Sequence, residues 1–327
     1  RPLVWLLLGG KAGDNAQLRA VAAKLDTEVR EWRLGHNLLR EVPNAWLGAS
    51  LASLKGKPAF TPPWPDMVLG VGRRSVPAAR WIQRASPNPP RLVWLGRPRA
   101  PLAWFDLVLS TGQYGLPEAP NLLRLPLPLT EPPNLAAPAR RVALLGGPSW
   151  SATITRPFLD AFAKAARGDE DEPVSLLTSP RTPIGAAAYL KDRLGAGAEI
   201  YDWAAEQGRE NPYRAWLGEA RYLVVSCDSV SMICDAVSTG RPVSVVRMPE
   251  PVWLSTLRRM PFGARWLNGA GNWPVLAPPP NLEGVFRDLI AAGLARPNGD
   301  LIHLEEAAPA IAEAHDAAIA RIRALLA

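Results

Sequence analysis

Cysteine and histidine are both scarce in this chain of 327 residues, which has two of the first and three of the second. Cys227 and Cys234 provide neither a disulfide framework nor the ligand spacing of a metal site. His36, His303 and His315 are too scattered to form one. We therefore expect a reducing, cytoplasmic compartment, no metal site and no cofactor.

Long apolar runs are lacking as well, since no stretch approaches the roughly 18 apolar residues of a membrane-spanning helix. The short run at residues 4–8 leads into glycines, which predicts a buried strand rather than a signal peptide. Hydrophobic residues nevertheless make up 48% of the chain, enough for a substantial core. The length fits two domains of ordinary size.

Positive charge is concentrated in one half of the sequence. Residues 1–137 contain 17 Lys and Arg against 9 Asp and Glu, whereas residues 138–327 contain 20 against 21. A solvated basic face is one interpretation of this surplus. An anionic partner, such as a membrane surface or a phosphorylated lipid, is the other. We expect no nucleic-acid partner, because no recognised nucleic-acid-binding motif is present.

Short apolar runs alternate with helical patterns along most of the chain. We predict strands at residues 4–8, 28–34, 66–72, 91–96, 105–111, 141–147, 173–179, 198–203, 221–226 and 242–247. This alternation predicts an α/β fold with parallel sheets. The proline-rich stretch at 125–139 is the predicted linker. We therefore predict two Rossmann-like domains facing a cleft, at residues 1–137 and 138–327, with the last helix able to pack back on the first domain.

The stretch "SCDSVSMICDAVSTGRPV" (226–243) predicts an anion-binding site where a strand meets a helix. Asp228 or Ser229 can cap the helix, and its first-turn N–H groups attract negative charge. Ser231 adds a hydroxyl donor, and Asp235 can accept hydrogen bonds from a ribose. Simple helix capping is the alternative interpretation.

Three neighbouring loops strengthen the prediction, because ligand loops gather at the carboxyl ends of parallel strands. Glycines in "GGPSWS" allow close approach of a phosphate, and arginine in "TSPRTP" offers a bidentate donor. A longer loop, 201–213, can hold a base. The candidate nucleotide residues in these loops are Gly146, Gly147, Ser179, Arg181, Thr182, Asn211 and Tyr213. Together the four loops predict a site for a nucleoside diphosphate.

The N-terminal half has a glycine-rich loop, "GGKAGDNAQ" (9–17), that fits neither the dinucleotide nor the P-loop pattern. It presents Lys11, Asp14 and Asn15. Asp14 is a candidate general base for an acceptor hydroxyl, and Asn15 is a candidate to orient that hydroxyl. The alternative is that Asp14 only caps the following helix.

A second N-terminal loop, "GVGRRS" (70–75), also follows a predicted strand. Its candidate acceptor-binding residues are Arg73, Arg74 and Ser75. These residues either bind an acceptor phosphate or lie in solvent. Trp46, Trp64 and Trp81 lie among basic residues, a combination that suits a membrane interface.

In order along the chain, "GGKAGDNAQ", "GVGRRSVPAAR", "FDLV", "TSPRTP", "NPY" and "CDSVSMICDAVSTGRPV" resemble the mitochondrial-fission "elongated mitochondria" family, which has many bacterial members. The resemblance covers about residues 4–250. It implies the GT-B architecture of glycosyltransferases and a metal-independent sugar transfer. It also implies that Ser229, Ser231 and Arg181 bind a diphosphate and that Asp235 binds the ribose. Asp14 departs from the family, since many members have His there.

Taken together, these patterns predict an inverting glycosyltransferase that is peripheral to the cytoplasmic face of a bacterial membrane. Its donor is an NDP-sugar, and its acceptor is an anionic lipid or lipid-linked glycan. Two alternatives remain open at this point. One is a non-catalytic membrane scaffold that keeps the fold, and the other is a non-hydrolysing NDP-sugar epimerase.

Overall fold

Parallel strands dominate the structure and form two separate sheets. The computed structural model describes residues 1–56, 58–168, 172–206, 208–269, 278–304 and 306–327. The chain divides into two units. The N-terminal unit comprises residues 1–131, 264–279 and 313–327, and the C-terminal unit comprises residues 132–263 and 280–312. The domain boundaries drawn from the sequence, 1–137 and 138–327, stay a prediction beside this division.

The N-terminal unit is built on a six-stranded sheet whose neighbouring strands are all parallel. Its strands are β1 (Leu3–Leu8), β2 (Glu28–Arg33), β3 (Met67–Val71), β4 (Arg91–Leu95), β5 (Leu107–Thr111) and β6 (Leu122–Leu125). Their order across the sheet is β2-β1-β3-β4-β5-β6. The connecting helices are α1 (Ala12–Ala23), α2 (Asn44–Leu47) and α3 (Val76–Ala85), with 3-10 turns at Leu38–Glu41, Leu102–Trp104 and Gly112–Tyr114.

Both faces of the four inner strands, β1, β3, β4 and β5, are buried, which explains why these strands are nearly continuous apolar runs, whereas the edge strand β2 is mostly exposed. Side chains alternate between the faces, so Leu6 and Leu7 of β1 belong to two different clusters. Helix α1 and the last helix of the chain cover the first face, where Leu18 and Ile319 are buried. Helix α3 covers the second, where Ile82 is buried.

An aromatic cluster fills the second face. The ring centroid of Trp5 lies 5.0 Å from that of Trp32 and 5.7 Å from that of Trp64. The Trp81 ring lies 5.9 Å from Phe60 and 6.5 Å from Trp64. Trp64 and Trp81 therefore pack against the core. Both side chains are only partly buried, so their expected contact with a lipid stays a prediction.

The C-terminal unit is built on a seven-stranded sheet. Its strands are β7 (Arg140–Leu145), β8 (Val174–Thr178), β9 (Glu199–Tyr201), β10 (Ala220–Ser226), β11 (Val243–Val246), β12 (Arg296–Asn298) and β13 (Leu301–His303). Five strands are parallel, and the β12–β13 hairpin adds to β11 in antiparallel orientation. Their order is β12-β13-β11-β10-β7-β8-β9.

Helices lie among and after these strands. They are α4 (Arg156–Arg167), α5 (Ala186–Leu194), α6 (Tyr213–Glu219), α7 (Val230–Val237), α8 (Val252–Arg259), α9 (Pro261–Gly269), α10 (Leu282–Ala291) and α11 (Ala307–Arg323). Parts of α9 and α11 belong to the N-terminal unit. Helix α4 begins at a true cap, since the Thr155 hydroxyl accepts a hydrogen bond from the Phe158 N–H at 3.3 Å. Its buried face, which includes Phe158 and Phe162, packs on β7, β10 and β11.

Each sheet has one point at which the strand order reverses. In the N-terminal unit the chain moves from β1 to β2 on one side and then to β3 on the other. In the C-terminal unit β8 lies on one side of β7 and β10 on the other. The carboxyl ends of the strands at such a switch point form the usual ligand crevice of an open α/β sheet. The predicted α/β fold with Rossmann-like parallel sheets is confirmed. Its two switch points, one in each sheet, are the candidate positions for a ligand site.

Candidate functional site

The switch point of the C-terminal unit lies between β7 and β10, whose following loops begin at Gly146 and Cys227. The buried carboxylate of Asp228 lies at its centre. This carboxylate accepts hydrogen bonds from the Gly147 N–H at 3.1 Å, the Ser226 hydroxyl at 2.6 Å and the Arg181 guanidinium at 2.7 Å. One carboxylate thus joins the loops that follow three adjacent strands, β8, β7 and β10.

Glycine is required after β7 because of this packing. A Cβ at position 146 would overlap the Asp228 carboxylate, and a Cβ at position 147 would overlap the backbone of Arg181. The Gly146 N–H donates to the Ser226 hydroxyl at 2.8 Å. In this structure both glycine N–H groups therefore donate within the protein. Their contact with a phosphate stays a prediction, and the packing alone accounts for the glycines.

The loop after β8 is tied to the loop after β7. The Thr182 hydroxyl donates to the Gly146 carbonyl at 2.6 Å and accepts from the Ser179 N–H at 2.9 Å. Arg181 donates from Nη1 to the Gly147 carbonyl at 3.2 Å. Its side chain is still half-exposed, while that of Asp228 is fully buried. The Asp228 carboxylate and the Gly147 carbonyl thus fix the guanidinium in place. Part of it still faces solvent, where an anion can reach it.

Ser229 caps helix α7, and its hydroxyl accepts from the Met232 N–H at 3.4 Å. Of the two expected caps, Ser229 is confirmed, and Asp228 instead binds Gly147 and Arg181. Ser231 follows in the first turn and is partly exposed. The positive end of α7 therefore lies next to the Arg181–Asp228 pair, which favours an anion at this position.

A second group of predicted residues forms further along the same helix. The Tyr213 hydroxyl donates to the Asp235 carboxylate at 2.8 Å, and the Asn211 side chain accepts from the Tyr213 N–H at 3.0 Å. Burial and the negative charge of Asp235 raise the pKa of Tyr213 well above its ordinary value. Asp235 lies six residues past the cap, or about 9 Å along the helix axis. Its role as a ribose partner stays a prediction.

The switch point of the N-terminal unit lies between β1 and β3, where the predicted acceptor residues meet. Helix α1 begins at Ala12 with Lys11 as its cap, so Asp14 lies inside the first turn. The interpretation that Asp14 caps this helix is therefore wrong. Asp14 is half-buried, and this burial raises its pKa, while the positive charges of Lys11 and Arg74 act in the opposite direction. A partly desolvated carboxylate with a raised pKa suits a general base.

Asn15 fastens the loop that carries Asp14. Its side-chain amide accepts from the Gly9 N–H at 2.9 Å and donates to the Gly9 carbonyl at 3.0 Å. The amide is thus used to shape the loop, and the expected role of Asn15 in orienting an acceptor stays a prediction. Ser75 is buried at the cap position of α3, which does not favour its contact with an acceptor.

Arginines that the sequence analysis missed lie in the loop after β4. Burial lowers the pKa of Arg97 to about 10, and its guanidinium lies 5.3 Å from the ring centroid of Tyr114. Burial and the negative charge of Asp14 raise the pKa of Tyr114. The motif "GRPR" (96–99) begins at the last residue of a predicted strand, 91–96. The rule that ligand loops follow parallel strands was sufficient to identify it.

Comparison with known proteins agrees with the motifs. The model of the family described as mitochondrial fission ELM1 matches residues 12–112 and 129–258. The chain belongs to the mitochondrial fission ELM1 family. The resemblance expected from the sequence is thereby confirmed.

Two relatives of this ELM1-family chain come from very different organisms. An uncharacterized protein of Rickettsia prowazekii (strain Madrid E) is 21% identical over 300 residues, with 76% of this chain and 84% of the relative covered. The mitochondrial fission protein ELM1 of Arabidopsis thaliana is 25% identical over 232 residues, with 58% of this chain covered. The alignment spans about half, 53%, of that plant protein.

Solved structures of similar fold include two kinds of enzyme. The glycosyltransferase of kitacinnamycin has a TM-score of 0.40 at 14% identity, with 99% of this chain and 95% of that chain covered. A UDP-GlcNAc 2-epimerase from Neisseria meningitidis has a TM-score of 0.39 at 8% identity, with 89% and 99% covered. Neither likeness assigns a reaction to this ELM1-family chain.

Two kinds of feature are absent from the described residues. No helix among them has the length and apolar character needed to cross a bilayer. No three of their His, Cys, Asp and Glu side chains lie close enough together to hold a metal ion.

Proposed function

We propose that this protein is a metal-independent, inverting glycosyltransferase of the GT-B type. In this proposal the C-terminal unit binds an NDP-sugar, and the acceptor is a lipid or lipid-linked glycan at the cytoplasmic face of a membrane. The observation that carries the proposal is the position of Arg181. Its half-exposed guanidinium is held by the buried Asp228 at a switch point, next to the positive end of α7.

The proposed reaction moves one proton and one sugar. The acceptor hydroxyl loses its proton to Asp14, and its oxygen forms a bond to the anomeric carbon of the donor. The bond between that carbon and the diphosphate oxygen breaks, and the electron pair leaves with the diphosphate. Arg181, the Ser229 and Ser231 hydroxyls and the start of α7 stabilise the charge that develops there, so protein groups supply the positive potential.

Calorimetry without added metal tests the donor site. UDP, GDP, ADP and CMP are titrated into the wild type and into the Ser231→Ala and Arg181→Ala variants. We expect one nucleoside diphosphate to bind the wild type, and Arg181→Ala to weaken binding about ten- to a hundredfold through loss of a charged hydrogen bond. Arg193→Ala is a matched control. Arg193 of α5 is also an arginine paired with an aspartate, Asp160 of α4, but this pair lies at the surface. Absence of binding by all four nucleotides would contradict the proposal.

One observation favours a non-catalytic membrane scaffold as the second candidate. Arg181 and the Gly147 N–H both donate to Asp228, and the Gly146 N–H donates to the Ser226 hydroxyl, so each of these donors already has a partner within the protein. The plant relative is also named for mitochondrial fission rather than for a reaction. The Ser231→Ala/Arg181→Ala double variant separates the two candidates. A transferase loses nucleotide binding and turnover, whereas a scaffold keeps its membrane recruitment and function.

The third candidate, an epimerase, would convert a UDP-sugar with no acceptor present. This conversion is followed by chromatography of the free nucleotide-sugar after incubation with the protein. We expect no conversion, and its detection would replace the transferase proposal.

A further inference from the structure

A segment of the N-terminal unit, residues 37–48, carries three exposed apolar side chains close together in sequence. Leu38 is 87% exposed, Leu39 is 45% exposed and Trp46 is 78% exposed. We call this the docking segment. Most large apolar side chains of this unit are buried in its two cores. Three exposed ones within nine positions therefore indicate a surface that another body covers.

The docking segment is held in a defined shape. The Asn37 side chain accepts from the Leu39 N–H at 2.9 Å and donates to the Ala52 carbonyl at 2.8 Å. Asn44 is buried and donates to the carbonyls of Arg73 at 2.9 Å and Pro98 at 2.8 Å. The apolar side chains are thus presented on a segment fixed at both ends.

An arginine cluster joins the segment to the loop after β3. Arg73 donates to the Arg40 carbonyl at 2.7 Å and pairs with the Glu41 carboxylate. Arg40 and Arg74 lie 3.1 Å and 4.0 Å from that same carboxylate. Arg99 belongs to the cluster, since the charges of Arg73 and Glu41 both act on its pKa, which burial lowers. Three arginines thus lie within 4.0 Å of one glutamate, and Arg99 adds a fourth positive charge nearby.

The backbone at Arg99 is also unusual. Its φ is 49°, in the left-handed region that side chains other than glycine rarely adopt. The Asn44 amide, which binds the neighbouring Pro98 carbonyl, helps to hold this turn. The fold therefore maintains an unfavourable backbone conformation at a position that adds positive charge to the cluster.

We propose that the docking segment inserts Leu38, Leu39 and Trp46 into an anionic lipid bilayer surface while the arginine cluster binds the lipid headgroups. Apolar and indole side chains suit the boundary between headgroups and acyl chains, and arginines suit the phosphates. The charge surplus of residues 1–137 favours this partner over an uncharged protein surface. This lipid-binding surface rests on the lipid acceptor of the proposed function and identifies the residues that contact the lipid.

The C-terminal unit also has an exposed apolar surface, at Val252, Met260 and Phe262, and Phe262 is 82% exposed. The sequence from residue 138 onward has no surplus of positive charge. Arg258 and Arg259 flank this surface in sequence, and Arg258 is paired with Glu250. The docking segment is distinguished by three arginines grouped around one carboxylate, that of Glu41. Phe262 therefore provides a control of matched exposure.

The test is co-sedimentation of the full chain with vesicles of phosphatidylcholine alone and of phosphatidylcholine mixed with phosphatidylglycerol. We expect binding to the anionic vesicles only, weakened by salt. Leu38→Ser/Trp46→Ser is expected to weaken it at least about tenfold, because two apolar side chains no longer leave water. Arg40→Gln is expected to weaken it about fivefold. Phe262→Ser is expected to bind like the wild type.

Three outcomes would overturn the inference: no binding to anionic vesicles, unchanged binding by Leu38→Ser/Trp46→Ser, or loss of binding by Phe262→Ser alone. A polarity-sensitive dye on Trp46→Cys gives a second measurement, since the two native cysteines are buried. Its emission is expected to shift to the blue only with anionic vesicles, and an unchanged spectrum would contradict insertion.

Nucleotide calorimetry on Leu38→Ser/Trp46→Ser keeps the two proposals separate. Unchanged nucleotide affinity is expected, because the docking segment belongs to the other unit. Loss of vesicle binding with intact nucleotide binding supports the lipid surface. Normal vesicle binding by a protein that binds no nucleotide would contradict the proposed function and leave this inference standing.

Discussion

The two units carry the same sequence feature, a pair of glycines directly after the first strand, for two different reasons. A Cβ at Gly9 or Gly10 in the N-terminal unit would meet no atom within 4 Å. A Cβ at Gly146 or Gly147 in the C-terminal unit would overlap Asp228 or the Arg181 backbone. The first loop is open around Asp14, and the second is closed by the Asp228 hydrogen bonds. The same strand–glycine–glycine arrangement thus gives an open loop in the basic N-terminal unit and a closed, preorganised loop in the C-terminal unit.

The largest expected effect comes from filling the closed loop. Gly147→Ala should destabilise the C-terminal unit by about 3 kcal/mol or more, because the backbone of Arg181 has to move. Gly10→Ala should change stability by less than about 0.5 kcal/mol. Hydrogen exchange measured on peptides from β7 and β1 reports each unit by itself. Equal effects of the two variants would remove the contrast between the loops.

The two carboxylates should also respond differently to removal of their charge. Asp228→Asn should cost about 2–4 kcal/mol, because the amide keeps only one acceptor oxygen for three donors and loses the charge that pairs with Arg181. Asp14→Asn should leave the N-terminal unit as stable or slightly more stable at neutral pH. Burial disfavours the Asp14 carboxylate, so the folded pKa is raised and ionisation costs stability above it. Urea unfolding followed by the same exchange measurement compares the two, and a large loss in Asp14→Asn would contradict this sign.

The raised pKa of Asp14 also predicts a pH dependence of turnover. Transfer needs the ionised carboxylate, so kcat/KM should rise with pH through a pKa above the ordinary value of Asp. The measurement is release of nucleoside diphosphate across pH with whichever NDP-sugar supports turnover. The Asp14→Asn variant should lose most of its activity and should no longer show this rise of kcat/KM with pH. If the rise persists in Asp14→Asn, another residue is the base.

The smallest effect is expected in thiol labelling of Cys227, which directly follows β10 in the C-terminal unit. Burial raises the pKa of its thiol to about 12, and its sulfur accepts from the Met248 N–H at 3.1 Å. A thiol reagent at mildly alkaline pH should therefore leave Cys227 unmodified in the native protein. Mass spectrometry of labelled peptides, with urea-unfolded protein as the positive control, reads this directly. Rapid native labelling would show that this edge opens.

Much of the fold was predictable because apolar runs and their spacing decide it. The alternation of strands and helices gave the parallel sheets, and the strand order then explained why "GGPSW" and "CDSVS" meet. The β12–β13 hairpin was missed, although Asn298–Gly299 is a strong hairpin signal and Gly299 has a φ of 59°. Helices α8 and α9 and strand β6 were also missed, because each is short and has a proline at one boundary, which favours a loop.

The candidate site was less predictable than the fold. The sequence places Arg181 and Asp228 47 positions apart, so nothing local indicates that they pair. The start of α1 was placed too late, because Lys11 caps it without a side-chain hydrogen bond. Trp46 and Trp64 have similar basic surroundings in sequence, and only packing shows which of them is exposed. Pairing and exposure depend on distant segments, which periodicity does not report.

Hydrogen exchange with and without the nucleoside diphosphate that binds tests the central claim most directly. The account predicts that the nucleotide protects amides in residues 178–183 and 226–232 of the C-terminal unit and leaves those in residues 9–15 and 72–75 unchanged. Protection confined to residues 9–15 and 72–75 would contradict it, because the donor site would then belong to the open, basic edge of the N-terminal unit.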